Sequence, residues 1–303
     1  MRPEWLPEGA DITTPNAARV YDYALGGFHN FDVDREFLKA AQREWPGVVA
    51  LAHANRAYLG RVVRWLVDAG VRQFLDIGSG IPTLGNVHET AQDTAPTAKV
   101  VYVDIDPVAV AHGQRILRDN PSAVSVRGDL REPERILSDP EVLALLDFGE
   151  PVAVLMVAVL HFIDDEDDPA GIIRRFADAT VAGSYLALSH GVPAGDDAAG
   201  QARVRQLYQR TPTTFHVRTV EQVTAWLNGW EIVAPGFVPI NRWHPEDHHD
   251  TASAAVGAVA RTGAGSVSCP AVPGGQTAGI SRMYDSAGAT EAGESDIGFH
   301  PSR

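Results

Sequence analysis

Apolar positions recur with two different periods along the chain, and the change of period near residue 70 separates a helical region from an alternating one. Before it, apolar residues repeat at helical spacing and predict helices over 16–24, 34–44 and 48–68. Beyond it, short continuous apolar runs predict strands that alternate with helices. The predicted strands are 71–77, 99–105, 123–129, 152–160, 184–191, 230–236 and 253–261. The predicted helices of this second region are 83–94, 107–118, 133–146, 167–181, 196–210 and 220–227.

The alternation of strands and helices predicts an α/β fold. Its strands are apolar throughout, which is typical of a parallel sheet covered by helices on both faces. We therefore expect a mostly parallel, seven-stranded sheet with an N-terminal helical extension. The expected divisions are an irregular arm over 1–15, a helical lid region over 16–70, the main α/β domain over 71–261 and a disordered, low-complexity tail over 262–303.

Composition narrows the range of partners. The chain carries 25 basic and 39 acidic residues, a formal net charge of −14. This balance disfavours a nucleic-acid partner, because a phosphate backbone is bound by a basic surface. The single cysteine, Cys269, allows neither an intrachain disulfide nor a multi-cysteine metal site. The sequence shows no signal-peptide core and no apolar run of about 18 residues, so we expect a cytoplasmic protein without a membrane span.

The first predicted strand leads into a glycine-rich turn, FLDIGSGIPT over 74–83. Strand, glycine turn and helix start form nucleotide sites in α/β proteins. Gly78 and Gly80 let the backbone approach a ligand, and a helix that opens at Thr83 would offer free amides to an anion. A dinucleotide site needs a third glycine where Thr83 stands, and Asp76 is unusual for such a site. The turn therefore indicates a cofactor other than NAD, with a purely structural turn as the alternative.

Acidic residues follow the next two predicted strands. Asp104 ends the second strand at the spacing where a carboxylate binds ribose hydroxyls. Asp129 follows the third strand, where it could accept a hydrogen bond from an adenine amino group. Each acid also has a structural interpretation, since Asp is common in loops and at helix starts, and for Asp106 that interpretation is favoured. Acids at successive strand ends nevertheless indicate a site, because ligands of parallel sheets bind there.

Four segments together resemble the class I S-adenosylmethionine-dependent methyltransferases: DIGSG over 76–80, VYVDID over 101–106, RGDL over 127–130 and MVAVLHFI over 156–163. The resemblance implies their Rossmann-like fold and S-adenosyl-L-methionine as cofactor. It also implies that the glycine turn faces the methionine part, that Asp104 holds the ribose and that Asp129 faces adenine. The cofactor-binding residues that we expect are Asp76, Gly78, Ser79, Gly80, Asp104, Ile105, Asp129, Leu130, Val157, Tyr21 and Asn30.

A closer resemblance covers most of residues 15–261. ARVYDYALGGFHNFDVDRE over 18–36, FHVRTVEQV over 215–223 and WEIVAPGFVPINRW over 230–243 are similar to an actinobacterial subfamily of these enzymes, long catalogued as a domain of unknown function. In this class, residues before the first strand often form a lid, and Tyr21 and Asn30 could then contact the cofactor. The alternative is that Tyr21, Phe28 and Phe31 form a small core that anchors the first helices.

The resemblance implies methyl transfer to an acceptor that the sequence does not identify, and a small metabolite is favoured over a protein. Such a reaction depends on positioning and exclusion of water more than on one catalytic residue. His161, which follows the fourth strand, is the candidate general base, and a hydrogen-bonded structural histidine is the alternative. His190 and His29 are further candidates with the same alternative.

No metal site is expected, and other functions stay open. HPEDHHD over 244–250 lacks the spacing of a metal motif, and DDEDD over 164–168 is interpreted as a solvated acidic helix start. The alternative functions are a non-catalytic S-adenosylmethionine-binding regulator, an NAD-dependent oxidoreductase, and an aminopropyltransferase, which shares the fold. The oligomeric state is left open as well.

Overall fold

The centre of the fold is a sheet that has eight strands within the part of the chain that is described. The computed structural model describes residues 6–83, 85–245 and 253–262. The strands are β1 (Gln73–Ile77), β2 (Lys99–Asp104), β3 (Ala123–Arg127), β4 (Ala153–Val157), β5 (Tyr185–Gly191), β6 (Glu231–Ile232), β7 (Val238–Pro239) and β8 (Ala255–Arg261). Their spatial order is β3-β2-β1-β4-β5-β8-β6, with β7 also paired to β8.

Helices surround this sheet and precede it. They are α1 (Ala17–Ala24), α2 (Asp32–Glu44), α3 (Val48–Asp68), α4 (Val87–Thr94), α5 (Pro107–Ile116), α6 (Pro133–Leu137), α7 (Pro140–Leu145), α8 (Pro169–Asp178), α9 (Ala198–Tyr208) and α10 (Val220–Ala225). None of the described helices is long and apolar enough to cross a membrane. The N-terminal extension predicted from the sequence corresponds to α1, α2 and α3.

Strands β1 to β5 run parallel, and β8 runs antiparallel to β5. Every residue of β1 and β4 is buried, which explains why their sequences are apolar without alternation. The structure therefore confirms the predicted α/β fold with a mostly parallel sheet. The carboxyl ends of β1 to β5 meet at one edge of the sheet, and the loops that leave them line the cavity considered below.

The strand predicted over 230–236 is wrong in its extent. Two strands of two residues each occupy this region, β6 and β7, and both pair with β8. Pro235 between them has no amide to donate to a ladder, and Gly236 turns the chain with a hydrogen bond from its amide to Val233. This interruption gives eight strands where seven were predicted.

Helix α3 connects the N-terminal region to the sheet. Its apolar face packs against β4 and β8 and includes Tyr58, Val62 and Leu66, all fully buried. The Tyr58 hydroxyl lies 2.9 Å from the carbonyl oxygen of Leu188 and 3.1 Å from that of Ala258. On its other side, α3 contacts α1 and α2 through a second apolar cluster. Helix α3 thus joins α1 and α2 to the sheet.

The structure describes most of the predicted N-terminal arm and only one residue of the predicted C-terminal tail. Residues 6–15 form no helix or strand, but Leu6 and Ala10 are buried against Val108 at the start of α5. The irregular arm is therefore packed on the main domain. The predicted tail lies outside the described residues except for Thr262. The division of the chain at residues 15, 70 and 261 stays a prediction.

Candidate functional site

A cavity of about 770 Å³ lies at the carboxyl ends of the parallel strands. Its walls come from the loops after β1 to β5, from α1 and α3, and from the segment 212–216. Its size is that of a small-molecule site, and its position is the one where open α/β sheets bind ligands. Most of the predicted cofactor residues line it: Tyr21, Asp76, Gly78, Ser79, Gly80, Asp104, Ile105, Asp129, Leu130 and Val157.

The glycine turn after β1 is bound to the neighbouring strand β2. The amides of Gly78 and Ser79 donate to the Val103 carbonyl, and the Gly80 amide donates to Asp104 Oδ2 at 2.7 Å. Gly78 has a φ of 68°, and a Cβ at this position would overlap the Val159 side chain. Glycine is therefore required here both for the backbone conformation and for the close approach of the loop after β4.

The helix predicted to open at Thr83 begins instead at Val87, so its predicted start is wrong, and the anion site expected at that start stays a prediction. Asn86 caps the helix in a capping box with Glu89, and this pair sets the first turn. Thr83 donates its hydroxyl to Asp22 Oδ1 at 3.0 Å. The residue that replaces the third glycine of a dinucleotide site thus attaches the turn to the N-terminal region.

Asp104 and Asp76 are both buried at the cavity but differ in their partners. Asp104 Oδ2 accepts from Gly80, and its Oδ1 accepts from the Asp106 amide at 2.8 Å. Burial raises the pKa of Asp104 to about 6 against these amide bonds. No hydrogen bond joins the Asp76 carboxyl to a described residue, and burial together with Asp104 raises its pKa to about 7, with Arg56 opposing. Asp76 is therefore a buried acid of raised pKa whose acceptor atoms are not used by any described residue.

Arg56 is a site residue that the sequence analysis missed. It lies in α3, lines the cavity, and its guanidinium sits 5.5 Å from the centre of the Tyr21 ring. Its Nε is enclosed and has no hydrogen-bond partner among the described residues. The periodicity of α3 predicted a helix but carried no sign that Arg56 faces the end of the sheet. The guanidinium of Arg56 and the carboxyl of Asp76 thus line one cavity, and both have hydrogen-bonding atoms that no described residue uses.

Asn55 and Ser189 form a buried polar chain beside this pair. Ser189 Oγ donates to Asn55 Oδ1 at 2.6 Å and accepts from the Ala158 amide. Asn55 Nδ2 donates to the Tyr21 hydroxyl, which donates to the Ala52 carbonyl. A polar Asn on the otherwise apolar face of α3 was the available signal for this chain. It fixes Tyr21 in the cavity wall and joins the N-terminal region to β5.

Asp129 reaches the cavity in an ion pair. Its carboxylate accepts from the amide, Nε and Nη2 of Arg131, the last at 2.6 Å. Burial opposes ionisation of Asp129, but these bonds outweigh burial and lower its pKa. Leu130 and Ile105 lie nearby on the same rim, Leu130 buried and Ile105 exposed. The predicted adenine contact of Asp129 would have to use a carboxylate that Arg131 already holds.

Asn30 lies outside the residues that line the cavity. Its Nδ2 donates to Asp22 and to the Gly27 carbonyl, and its Oδ1 accepts from Arg35. Asp22 also accepts from the His29 amide, and a Cβ on Gly27 would overlap it. The side chain of Asn30 thus closes the loop between α1 and α2, and no contact of this geometry supports its predicted role toward the cofactor.

The histidine candidates have different surroundings. His161 lines the cavity, and its enclosed Nδ1 has no hydrogen-bond partner among the described residues. Burial, then His190 and Arg218, lower the pKa of His161 well below its usual range, so the ring is neutral. His190 Nδ1 lies 2.7 Å from the Gly191 carbonyl, and its Nε2 lies 3.2 Å from Arg218. His29 lies in a separate small cavity beside His112.

Within the described residues, no group of three or more His, Cys, Asp or Glu side chains is placed to hold a metal ion. Of the cluster over 244–250, residues 246–250 lie outside the described residues. In the acidic segment 164–168, Asp168 caps α8 by accepting from the Gly171 amide, and Asp165 pairs with Arg218. These contacts agree with the interpretation of this segment as a helix start.

Comparisons with known proteins give one family. The family model of the S-adenosyl methyltransferases matches residues 3–265. A DUF574 family protein from Streptomyces avermitilis MA-4680 is 40% identical, with a TM-score of 0.79 over 83% of this chain and 99% of that one. A protein from Thermobifida fusca YX, proposed to be a methyltransferase, is 36% identical, with a TM-score of 0.81 over 86% of this chain and 100% of that one. No curated protein matches the sequence.

Proposed function

The chain belongs to the S-adenosyl methyltransferase family, and from this premise we propose that it transfers a methyl group to a small-molecule acceptor bound in the 770 Å³ cavity. It is an S-adenosylmethionine-dependent enzyme, as the sequence predicted. When bound, S-adenosylmethionine supplies a methyl group already activated on a sulfonium sulfur. The residues of the chain then need to bind, orient and exclude water.

The observation that carries the proposal is the pair formed by Asp76 and Arg56. An amino acid has an ammonium and a carboxylate a few ångströms apart, and the cavity offers a carboxyl and a guanidinium whose bonding capacity is unspent. A guanidinium binds a carboxylate with parallel hydrogen bonds, and a buried acid gains from a nearby ammonium. We propose that Arg56 holds the carboxylate and Asp76 the amino group of the methionine part.

The nucleoside part is assigned to the other strand ends. Asp104 is fixed by two amides and each of its oxygens retains a lone pair, so it can accept from ribose hydroxyls without moving. Ile105 and Leu130 offer apolar surface on the rim beside it. The adenine amino group would approach Asp129, whose charge is already held by Arg131. This arrangement supports the predicted cofactor residues other than Asn30.

We propose His161 as the general base. It follows β4 at the wall of the cavity, and its ring is neutral. A neutral imidazole can accept a proton from an acceptor hydroxyl as the new bond forms. His190 has hydrogen bonds on both ring nitrogens and is assigned a structural role.

Calorimetric titration tests the cofactor assignment. Arg56→Met should weaken binding of S-adenosylmethionine and S-adenosylhomocysteine roughly 10- to 100-fold, the size of a lost charged hydrogen bond. Arg64→Met, at an exposed position of the same helix, is the matched control and should bind as the wild type does. Unchanged affinity in Arg56→Met would refute the assigned carboxylate contact. Binding of NAD by the wild type in place of both ligands would refute the proposed function.

A further inference from the structure

We propose that the acceptor is a flat aromatic compound whose hydroxyl receives the methyl group, and that it is recognised by an aromatic wall formed by Phe162, Tyr208 and Phe215. This inference rests on the proposed function, because it names the substrate class for the same cavity. All three rings line the cavity, and the wall lies beside His161.

The aromatic wall is a set of rings in mutual contact. Tyr208 and Phe215 lie nearly parallel, 27° apart with centroids 5.6 Å apart. Phe162 packs against both, with centroid separations of 5.7 and 5.8 Å. The His161 ring lies 4.7 Å from Phe215 and 4.4 Å from Phe162. These spacings are typical of aromatic pairs, and a planar ligand that enters this end meets ring surface next to an imidazole.

Aliphatic side chains complete this end of the cavity. Val48, Leu51, Val204 and Trp45 belong to the apolar cluster that includes Tyr208, and they line the cavity together with Leu38. Apolar and aromatic surface of this kind gains free energy by covering a planar apolar ligand. The charged groups near it are Asp164, which lines the cavity and lies 3.8 Å from His216 Nε2, and the ion pair of Arg218 with Asp165. Carboxylates at this point disfavour an anionic acceptor.

Hydrogen bonds hold the segment that carries Phe215 in place, although this segment forms no helix or strand. The buried Arg218 donates to Asp165 Oδ1 at 2.9 Å, to the Ile163 carbonyl at 2.7 Å and to the Leu160 carbonyl at 3.2 Å. The His216 amide also donates to the His161 carbonyl at 2.7 Å. These bonds join the segment FHVR over 215–218 to the loop that carries His161. Arg218 is therefore a positioning residue for the aromatic wall.

Glycine at the end of β5 makes room for this arrangement. A Cβ on Gly191 would lie 3.1 Å from Phe215 Cζ, closer than such contacts normally are. Gly191 also accepts from the Arg218 amide and from His190 Nδ1. The end of β5, the FHVR segment and the loop after β4 thus fit together around the ring of Phe215.

His161 lines the cavity beside the aromatic wall, where its imidazole can take the proton of an acceptor hydroxyl. As the acceptor oxygen bonds to the methyl carbon, the carbon–sulfur bond breaks with its electron pair left on sulfur, and the hydroxyl proton passes to the imidazole. The products are a methyl ether, a neutral thioether and an imidazolium. An aromatic hydroxyl gives up its proton far more readily than an aliphatic one, which suits a base whose pKa is low.

The test is a binding series with the holoenzyme state fixed by saturating S-adenosylhomocysteine. Phenol, 2-naphthol and 9-phenanthrol are titrated beside decahydro-2-naphthol, which has the skeleton of naphthol without its flat ring, and 2-naphthoate, which is anionic. We expect at least one aromatic alcohol to bind and, with S-adenosylmethionine, to be methylated. Decahydro-2-naphthol should bind roughly fivefold more weakly than 2-naphthol. This ratio corresponds to the binding free energy of one or two aromatic ring contacts.

Single substitutions test whether the aromatic wall binds the acceptor. Phe215→Leu should weaken the bound aromatic alcohol roughly five- to tenfold and leave S-adenosylhomocysteine binding unchanged. Phe28→Leu is the matched control, because Phe28 is 85% exposed and lies outside the cavity. Arg218→Met should raise the KM for the acceptor, as Phe215→Leu should. His161→Gln should instead lower kcat without weakening the binding of the acceptor.

The outcomes distinguish failure of the proposed aromatic acceptor from failure of the proposed function. If S-adenosylhomocysteine binds but none of the three aromatic alcohols does, or if decahydro-2-naphthol and 2-naphthol bind equally, the aromatic acceptor is refuted. Equal losses of naphthol affinity in Phe215→Leu and Phe28→Leu would refute the role of the wall. If the wild type fails to bind S-adenosylhomocysteine, the proposed function itself fails.

Discussion

At the scale of single residues, the cavity depends on how two neighbouring acids are satisfied. Asp104 is bonded to two amides, whereas Asp76 has no hydrogen bond to a described residue. Burial raises the pKa of both, to about 6 for Asp104 and about 7 for Asp76. A buried carboxyl that is left unpaired is costly when it is ionised. Asp76 is therefore the group whose charge state a bound ammonium would change.

We predict that affinity for S-adenosylhomocysteine rises with pH through neutrality. Below a pKa of about 7, Asp76 is protonated and cannot attract the ligand's amino group, so binding weakens by up to about tenfold for each pH unit. Above it, the carboxylate is present before binding and affinity reaches a plateau. The dissociation constant measured by calorimetry between about pH 5.5 and pH 8 gives the profile.

Asp76→Asn is the control for this profile. The amide keeps the shape of the carboxyl but does not titrate, so the variant should bind weakly and lose the rise near pH 7. Asp104 and Arg56 face Asp76, and the smaller change that remains in the variant reports the titration of Asp104. A variant whose profile matches that of the wild type would exclude Asp76 as the titrating group.

At the scale of elements, the N-terminal region is attached to the sheet by a buried ion cluster. Arg19 of α1 lies 3.5 Å from Asp34 of α2 and 3.6 Å from Asp106, which caps α5. The same guanidinium donates to the carbonyls of Asp11 and Thr14 in the arm. Asp34 in turn accepts from the amides of Asn16 and Phe31, at the starts of α1 and α2. One side chain thus joins the arm, two helices and the loop that follows Asp104.

We predict that Arg19→Met lowers the free energy of unfolding by about 3–5 kcal/mol, because it leaves two buried acids without their cation. Burial already raises the pKa of Asp34 and of Asp106, so both should protonate in the variant. The deficit should therefore shrink at low pH. Denaturation by urea at about pH 8 and about pH 5 measures both effects.

The comparison for this prediction is an exposed ion pair. Arg135 pairs with Glu132 at 2.9 Å, with exposed fractions of 80% and 47%. Arg135→Met should change stability by less than about 0.5 kcal/mol, since water screens such a pair. If Arg19→Met and Arg135→Met were equally mild, the cluster would not be what attaches the N-terminal region.

At the scale of the whole molecule, the cavity is closed by parts of the chain that are far apart in sequence. The arm, α1 and α3 cover one side, and the strand ends with the segment 212–216 form the other. Hydrogen bonds cross this boundary from Ser189 to Asn55 and from Thr83 to Asp22. A ligand in the cavity therefore contacts both parts at once and should stabilise them together.

We predict that saturating S-adenosylhomocysteine slows amide hydrogen exchange in α1 and α3 as well as in the loops after β1 and β2. At 100 times its dissociation constant, the ligand should stabilise the fold by about 2.7 kcal/mol. NAD at the same concentration is the control and should change neither exchange nor stability. Slower exchange in the strand-end loops alone, with α1 unchanged, would show that the N-terminal region does not cover the ligand.

The periodicity of the sequence predicted the fold because it is a local property. Continuous apolar runs indicate strands that are buried on both faces, and β1 and β4 are such strands. The fold class and the cofactor were predicted from these runs and from the motifs at their ends, and both are confirmed. Helix and strand limits were less certain: α4 begins at Val87 because of its capping box, and a proline divides β6 from β7.

The sequence by itself determined which strand ends carry Gly78, Asp104 and His161, since parallel strands bring their carboxyl ends to one edge. Only the tertiary structure decided which side chains meet there. Arg56 and Asp76 line the same cavity because α3 packs over the sheet, and Arg218 positions Phe215 through carbonyls more than 50 residues away in the chain. Such contacts depend on packing between elements, and the spacing of residues along one element carries no record of it.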